Sequence, residues 1–286
     1  MQNLMEGIYD MHVHTAPDIR ERAYTDFQLL EAGVRVQAKG IVLKSHWGST
    51  AERAFLCNEY NKKVYGKTND FTMYGSITLN NGVGGINPDA VETALKLGAR
   101  VVWLPTIHAE NHIKKKGGSQ TGIKIFSDEG RLLESVKTVL QLIKEHHAVI
   151  GTGHLSGLEI FSFVKQAREL EVQKIVVTHP EFWLVGLTER EQIQLVNDYD
   201  VILERNYAQP LLQGGYKKNL EDNLSIIKKL GSKNIMVDTD GGQVENPHWE
   251  LALEEYVNYL FNGGISLDAI NHMTKKLPEY LLEGQV

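Results

Sequence analysis

Eight short apolar runs rich in β-branched residues recur along the chain, each followed by a polar or glycine-bearing turn and then by a stretch of helical periodicity. The runs read as strands over 8–14, 40–46, 72–79, 100–105, 148–154, 174–179, 201–205 and 234–240. Most successive starts lie about thirty residues apart, the length of one strand-plus-helix unit. Helical patterns occupy 26–39, 131–146, 157–170, 189–198 and 220–230, and two more, 249–261 and 266–282, follow the last strand. Punctuation supports them. Ser49-Thr50-Ala51-Glu52 offers a capping box, Asn87-Pro88-Asp89-Ala90 places a proline and an acid in a first turn, and Leu97-Gly98 offers a C-cap. Strand and helix alternating eight times imply a parallel sheet, which closes most naturally as an α/β fold of the (β/α)8, or TIM-barrel, kind. The expectation is one domain over 1–286 with extra C-terminal helices. An open doubly wound sheet is the structural alternative.

Composition narrows the function classes. Hydrophobic residues make up 42% and charged residues 23% of the chain, enough for a large core under a mixed surface. A formal charge of -6 gives no broad electrostatic footprint for nucleic acid. No stretch approaches eighteen apolar residues, and Met1-Gln2-Asn3-Leu4-Met5-Glu6 has neither a basic nor an apolar leader region, so neither a membrane span nor export is expected. Cys57 stands alone, and the context Ala54-Phe55-Leu56-Cys57 has the spacing of helix packing. A cytoplasmic protein is expected. Tyr256, Tyr259, Leu260 and Phe261 near the C-terminus read as packing within the chain, with a homo-oligomer contact as the alternative.

In a barrel of this kind the active site lies where the strands end, at the C-terminal face. The first strand ends in His12-Val13-His14, the fifth in Gly153-His154, the sixth in Thr178-His179 and the eighth in Thr239-Asp240-Gly241. Side chains two apart on a strand face the same way, so His12 and His14 can share one ion, as imidazoles and a carboxylate suit Zn²⁺ and related divalent metals. Four separate strands ending in metal-ligand types outweigh the ordinary explanation of each residue as a hydrogen-bonded core histidine or a turn cap. Around the same rim stand Arg20 and Arg22, Lys44 and His46, His108, the run Lys114-Lys115-Lys116 and Arg205, which read as contacts to a small anionic substrate. Glu204, beside Arg205, faces the other way by alternation. The long interval from Pro105 to Ala148 reads as a lid, a binding loop or a disordered stretch.

These residues resemble the amidohydrolase superfamily of metal-dependent barrel hydrolases, over Asp10 to Asp240. The resemblance implies ligands at His12, His14, His154, His179 and Asp240, with Asp240 also moving the proton. More narrowly, Asp10-Met11-His12-Val13-His14-Thr15-Ala16-Pro17, Leu43-Lys44-Ser45-His46 and Gly84-Gly85-Ile86-Asn87-Pro88 resemble an amidohydrolase-like group of unassigned function. One departure stands out: the fourth strand, Val101-Val102-Trp103-Leu104-Pro105-Thr106, offers no Lys or Glu where that superfamily places a bridging carboxylate. His108, Glu110 and His112 lie just beyond it. Lys44 reads as an ammonium that grips an anion, with carbamylation as the alternative.

The expected activity is hydrolysis of an amide, lactone or ester bond in a small anionic molecule, with one or two zinc ions, or manganese or iron in their place. A metal-dependent decarboxylase or isomerase is the second expectation. A catalytically silent anion-binding barrel is the third. A phosphoesterase of the polymerase-and-histidinol-phosphatase type also begins with His-x-His, but Gly241-Gly242 follow Asp240 where that type places its Asp-x-His.

Overall fold

The structure is a computed structural model and describes residues 3–66 and 69–284. Met1 and Gln2, part of the N-terminal stretch considered above, lie outside the described residues. Among the described residues ten strands form: β1 (Tyr9–His14), β2 (Gly40–Lys44), β3 (Thr72–Thr78), β4 (Ala99–Trp103), β5 (Val149–Gly151), β6 (Ile175–Val177), β7 (Ile202–Asn206), β8 (Ala208–Pro210), β9 (Tyr216–Lys218) and β10 (Ile235–Asp238). Seven pairings, all parallel, run in the order β1-β2-β3-β4-β5-β6-β7-β10. A parallel bridge from Val13 to Gly241 brings the last strand back to the first. The chain is therefore a (β/α)8 barrel, the closed arrangement expected from the eightfold repeat, and not the open doubly wound sheet.

Helices α1 (Asp26–Arg35), α2 (Ala51–Tyr65), α3 (Pro88–Lys96), α4 (Glu110–Lys115), α5 (Glu134–Glu145), α6 (Gly157–Glu169), α7 (Glu189–Tyr199), α8 (Leu220–Leu230) and α9 (Trp249–Asn262) cover the outside. Outward residues such as Ile41, Ile77, Val102, Ile150 and Val177 pack beneath them. Asn87 caps α3 as its sequence suggests, accepting from Ala90 N–H with Pro88 in the first turn. The box at 49–52 does not form. Thr50 Oγ1 donates instead to Leu43 O at 2.7 Å, tying α2 to the barrel wall.

Where one helix was expected over 266–282, the chain forms α10 (Leu267–Asn271), a π-helical turn at His272–Lys276 and α11 (Leu277–Glu283). Pro278 is the physical reason, since it lacks the N–H that would continue an ordinary helical ladder. α11 plugs the N-terminal end of the barrel: Leu277, Leu281 and Leu282 pack against the inward layer of Tyr9, Met11, Tyr74 and Trp103. Lys174 Nζ donates to Leu281 O at 3.0 Å and Gly284 O at 2.5 Å, satisfying carbonyls at the helix end. With that end closed, the cavity opens only at the opposite, C-terminal face.

The seam between β1 and β10 decides what faces that cavity. Pairing along β1 advances from Asp10↔Ile41 to Val13↔Leu43, three residues against two, which is a β-bulge. Before it Tyr9 and Met11 face the interior; after it Val13 faces outward with Ile8. The bulge thus turns His12 and His14 inward, whereas unbroken alternation from Tyr9 and Met11 points both out of the barrel. Two carboxylates hold the seam. Asp10 Oδ2 accepts from Thr239 N (3.1 Å), Thr239 Oγ1 (2.6 Å) and Trp249 Nε1 (2.9 Å), and Asp238 Oδ1 accepts from Met11 N (2.7 Å).

Candidate metal centre

Three strand ends present their histidines and carboxylate through left-handed backbone. His179 has φ 30° and Asp240 φ 49°, while Gly153, before His154, has φ 59°. Non-glycine residues held there cost about 1–3 kcal/mol each and concentrate at functional sites. Gly242 allows the loop after Asp240 to close on β1, because a Cβ there lies 1.8 Å from His14 O.

His12 Nε2, His14 Nε2 and Asp240 Oδ1 converge within 4.8 Å of one another. The carboxylate oxygen is 3.1 Å from His12 Nε2 and 3.3 Å from His14 Nε2. Burial alone raises the Asp240 pKa, but His12 and His14 beside it hold its carboxyl well below the usual range, so it is ionised. His12 is buried between this carboxylate and Glu204, whose Oε1 lies 2.9 Å from His12 Nδ1. Burial opposes the charged imidazole, yet Asp240 and then Glu204, countered by Lys44, leave its pKa above the ordinary value.

Two cations press on the same cluster. Lys44 Nζ is 2.7 Å from His12 Nε2, and burial pushes its pKa down to about 8 against the pull of Asp240 and Glu204. Arg22 donates to Asp18 at 2.8 Å and lies 3.3 Å from His14 Nδ1. Burial and this guanidinium push His14 down to about 3. Asp18 also accepts from Trp47 Nε1 at 2.7 Å, fixing the wall of the cavity.

The remaining histidines complete the floor and one side. His154 lies 5.0 Å, ring centroid to centroid, from His179, and His14 lies 4.8 Å from His46. Burial pushes His179 down to about 4 and His154 well below its ordinary value. His179 Nδ1 is buried without a hydrogen-bond partner among the described residues. The convergent His12–His14–Asp240 atoms are a donor set that fits a divalent ion of the zinc class, and the orphaned His179 nitrogen is an unpartnered polar atom in the same cavity wall. Accommodation has a consequence for two neighbours: Lys44 competes for the His12 Nε2 lone pair, and His14 gives up the Nε2 proton it directs at Asp240.

The cavity, about 220 Å³, is lined by His12, His14, Lys44, His46, His154, His179 and Asp240, and at its mouth by Arg20 and Arg22, all expected from sequence. Two expected residues are elsewhere. Arg205 points outward from β7, donating to Asn223 Oδ1 (2.9 Å) and Gln192 Oε1 (2.7 Å) and pairing with Glu181, because alternation gives the interior position to Glu204. His108 is stationed behind the wall, edge-on to Trp47, and His112 lines the cavity instead.

The long interval after β4 folds in part as α4, which presents His112, while Lys116 follows it at the mouth. Lys114 pairs with Glu110, and Lys115 donates to Trp183 O. Trp103 takes the inward place on β4, a strand whose residues include no carboxylate. Sequence reasoning missed Asp18, Trp47, Tyr216, Gln209 and Gln243 around the mouth. The β8–β9 hairpin that carries two of them has no alternating apolar pattern by which to find it.

Fold and site together define a (β/α)8 barrel with a histidine- and carboxylate-lined cavity at the C-terminal ends of its strands. The chain belongs to the family of unknown function DUF6282, which matches residues 7–204. No curated protein matches the sequence. Among solved structures, an amidohydrolase from Pseudomonas aeruginosa is similar over 99% of this chain and 97% of its own, at 10% identity and a TM-score of 0.68. A 2-pyrone-4,6-dicarboxylic acid hydrolase, so assigned provisionally, from Pseudomonas putida is 17% identical over 98% of both chains, with a TM-score of 0.59. A 2,6-dihydroxybenzoate decarboxylase from Rhizobium is 11% identical over 98% of this chain and 99% of its own, with a TM-score of 0.57. At these identities the likeness is one of fold. No helix among the described residues is long and apolar enough to cross a membrane.

Proposed function

We propose that this chain is a metal-dependent hydrolase of a small anionic molecule bearing an amide, lactone or ester bond. The observation that carries the reading is the convergence of His12, His14 and Asp240 within 4.8 Å at the open end of the barrel. His154 and His179 extend the ligand set, zinc is the metal best suited to it, and manganese and iron are alternatives. When bound, the ion supplies the positive charge that polarises a scissile carbonyl and acidifies water.

The chain's own residues do the rest. Asp240, ionised and reached from the cavity, takes a proton from the attacking water and returns it to the leaving group. Lys44 and Arg22 hold the substrate's anionic group, Lys116 and Arg20 draw it to the mouth, and His46 orients it. Phe182 and Trp47 wall the cavity and limit access of bulk water. A cytoplasmic setting accords with a lone cysteine buried in α2.

The test is metal analysis of untagged protein purified without chelator, comparing wild type with the His12→Ala/His14→Ala double variant. About one or two equivalents in wild type and none in the variant are expected; no uptake by either, even on reconstitution, sinks the reading and leaves a silent anion-binding barrel. A decarboxylase or isomerase on the same ligands is favoured by one observation, the inward Trp103 on β4 in place of a bridging carboxylate. Release of CO₂ from a panel of carboxylic acids, without hydrolysis of lactones or amides, selects it.

A further inference from the structure

We infer that Glu204 and His112 are positioning residues that keep a proton on Nδ1 of His12 and of His154, which leaves Nε2 of each as the nitrogen available to an ion. The inference rests on the metal-site reading above. Which imidazole nitrogen carries the proton is set by the hydrogen bond the other one makes.

For His12 the partner is a carboxylate. Glu204 Oε1 lies 2.9 Å from His12 Nδ1 with both side chains buried, and a carboxylate accepts only, so Nδ1 carries a proton; Nε2 faces Lys44 Nζ at 2.7 Å and Asp240 Oδ1 at 3.1 Å, and any proton drawn there by Asp240 is the one an ion displaces. The other oxygen accepts from His179 N–H at 3.3 Å, which anchors Glu204 between β1 and β6. Glu204 therefore cannot turn away without leaving two buried donors unpaired.

For His154 the partner is a second imidazole. Its Nδ1 is 2.6 Å from Nδ1 of His112, the ring planes differ by 12° and the centroids are 4.8 Å apart. Centroid spacing and nitrogen separation together describe two rings nearly coplanar and head to head, a geometry that holds one proton between the two nitrogens. His154 Nε2 makes no hydrogen bond to any described residue, so a proton placed there has no acceptor. His112 lies at the cavity edge, where its own Nε2 can keep a proton. The shared proton accordingly belongs to His154. The interval after β4 thus contributes a positioning group where β4 itself contributes Trp103 and no ligand.

Long-range ¹H–¹⁵N spectra of the metal-free, histidine-labelled protein at pH 7.5 test this directly. The expected result in wild type is a proton on Nδ1 of His12, alone or with a second on Nε2 facing Asp240, and the Nδ1–H form at His154. Glu204→Ala should shift only His12, and His112→Ala only His154, toward the Nε2–H form that free neutral histidine favours. Zinc affinity should fall by about 10- to 100-fold in each alanine variant. Glu204→Gln and His112→Gln keep an acceptor oxygen, preserve the buried shape should an alanine variant fail to fold, and should recover most of the tautomer signature and of the affinity. An Nε2–H form at either histidine in wild type overturns the assignment for that pair, as does an alanine variant with an unchanged spectrum. Correct tautomers in a wild type that takes up no metal leave the positioning intact and sink the metal reading instead.

Discussion

At the residue scale, the competition between Lys44 and an ion for His12 Nε2 separates two chemical identities of that lysine. If Lys44 is an ammonium 2.7 Å from the ligating nitrogen, Lys44→Met removes a like charge and tightens zinc binding, by at least about tenfold, while weakening substrate binding. Isothermal titration reads the affinity. Looser binding in this variant would mean that the lysine is itself a ligand, as a carbamate. Asp240 offers a second contrast: Asp240→Asn retains the shape but loses both the charge and the proton acceptor, and turnover should fall by about 10³-fold or more with the circular dichroism spectrum unchanged. Unimpaired turnover removes Asp240 from the mechanism.

At the element scale, the β1–β10 seam is where the fold and the site are one problem. Asp10 Oδ2 accepts three hydrogen bonds and Oδ1 a fourth, from His12 N–H at 3.0 Å. An amide cannot do this, since its NH₂ faces donors whichever way it is turned. Asp10→Asn should therefore destabilise the protein by about 1–3 kcal/mol in urea titration and loosen metal binding through the displaced bulge. Gly242→Ala drives a Cβ to 1.8 Å from His14 O at a φ of 93°, and a loss above about 2 kcal/mol is expected. If either variant matches wild type in both stability and metal affinity, the seam does not set the site.

At the scale of the whole molecule, the buried histidines govern acid stability of the metal-free protein. Burial lowers His14 to about 3 and His112 and His179 to about 4, and it takes His46 and His154 well below 6.5. Each folded-state pKa lies below the unfolded value, so the unfolded chain binds more protons under pH 6.5. Stability is full above 6.5 and falls as pH drops toward 4, by up to about 1.4 kcal/mol per pH unit for each histidine. Asp10, raised by burial to about 6, Asp238, raised well above its ordinary value by burial, and His12, held above its ordinary value by Asp240 and Glu204, work in the opposite sense and offset part of the loss. Thermal midpoints should therefore drop steeply from pH 7 to pH 5, and a flat profile would show the histidines to be accessible to protons in the folded state. The barrel itself was legible in the sequence, because strand and helix periods repeated eight times leave few closed arrangements, and the strand-end residue types marked His12, His14, His154, His179 and Asp240. Facing and pairing were not. Strand alternation supplies only relative parity, so a single extra residue at Met11–His12 reversed which side of β1 became the cavity, and Arg205 and Glu204 exchanged the roles that residue type alone suggests. Glu204, His112 and Asp18 came to the site from β7, α4 and the β1–α1 loop through contacts many residues apart in sequence, which only the closed tertiary structure decides.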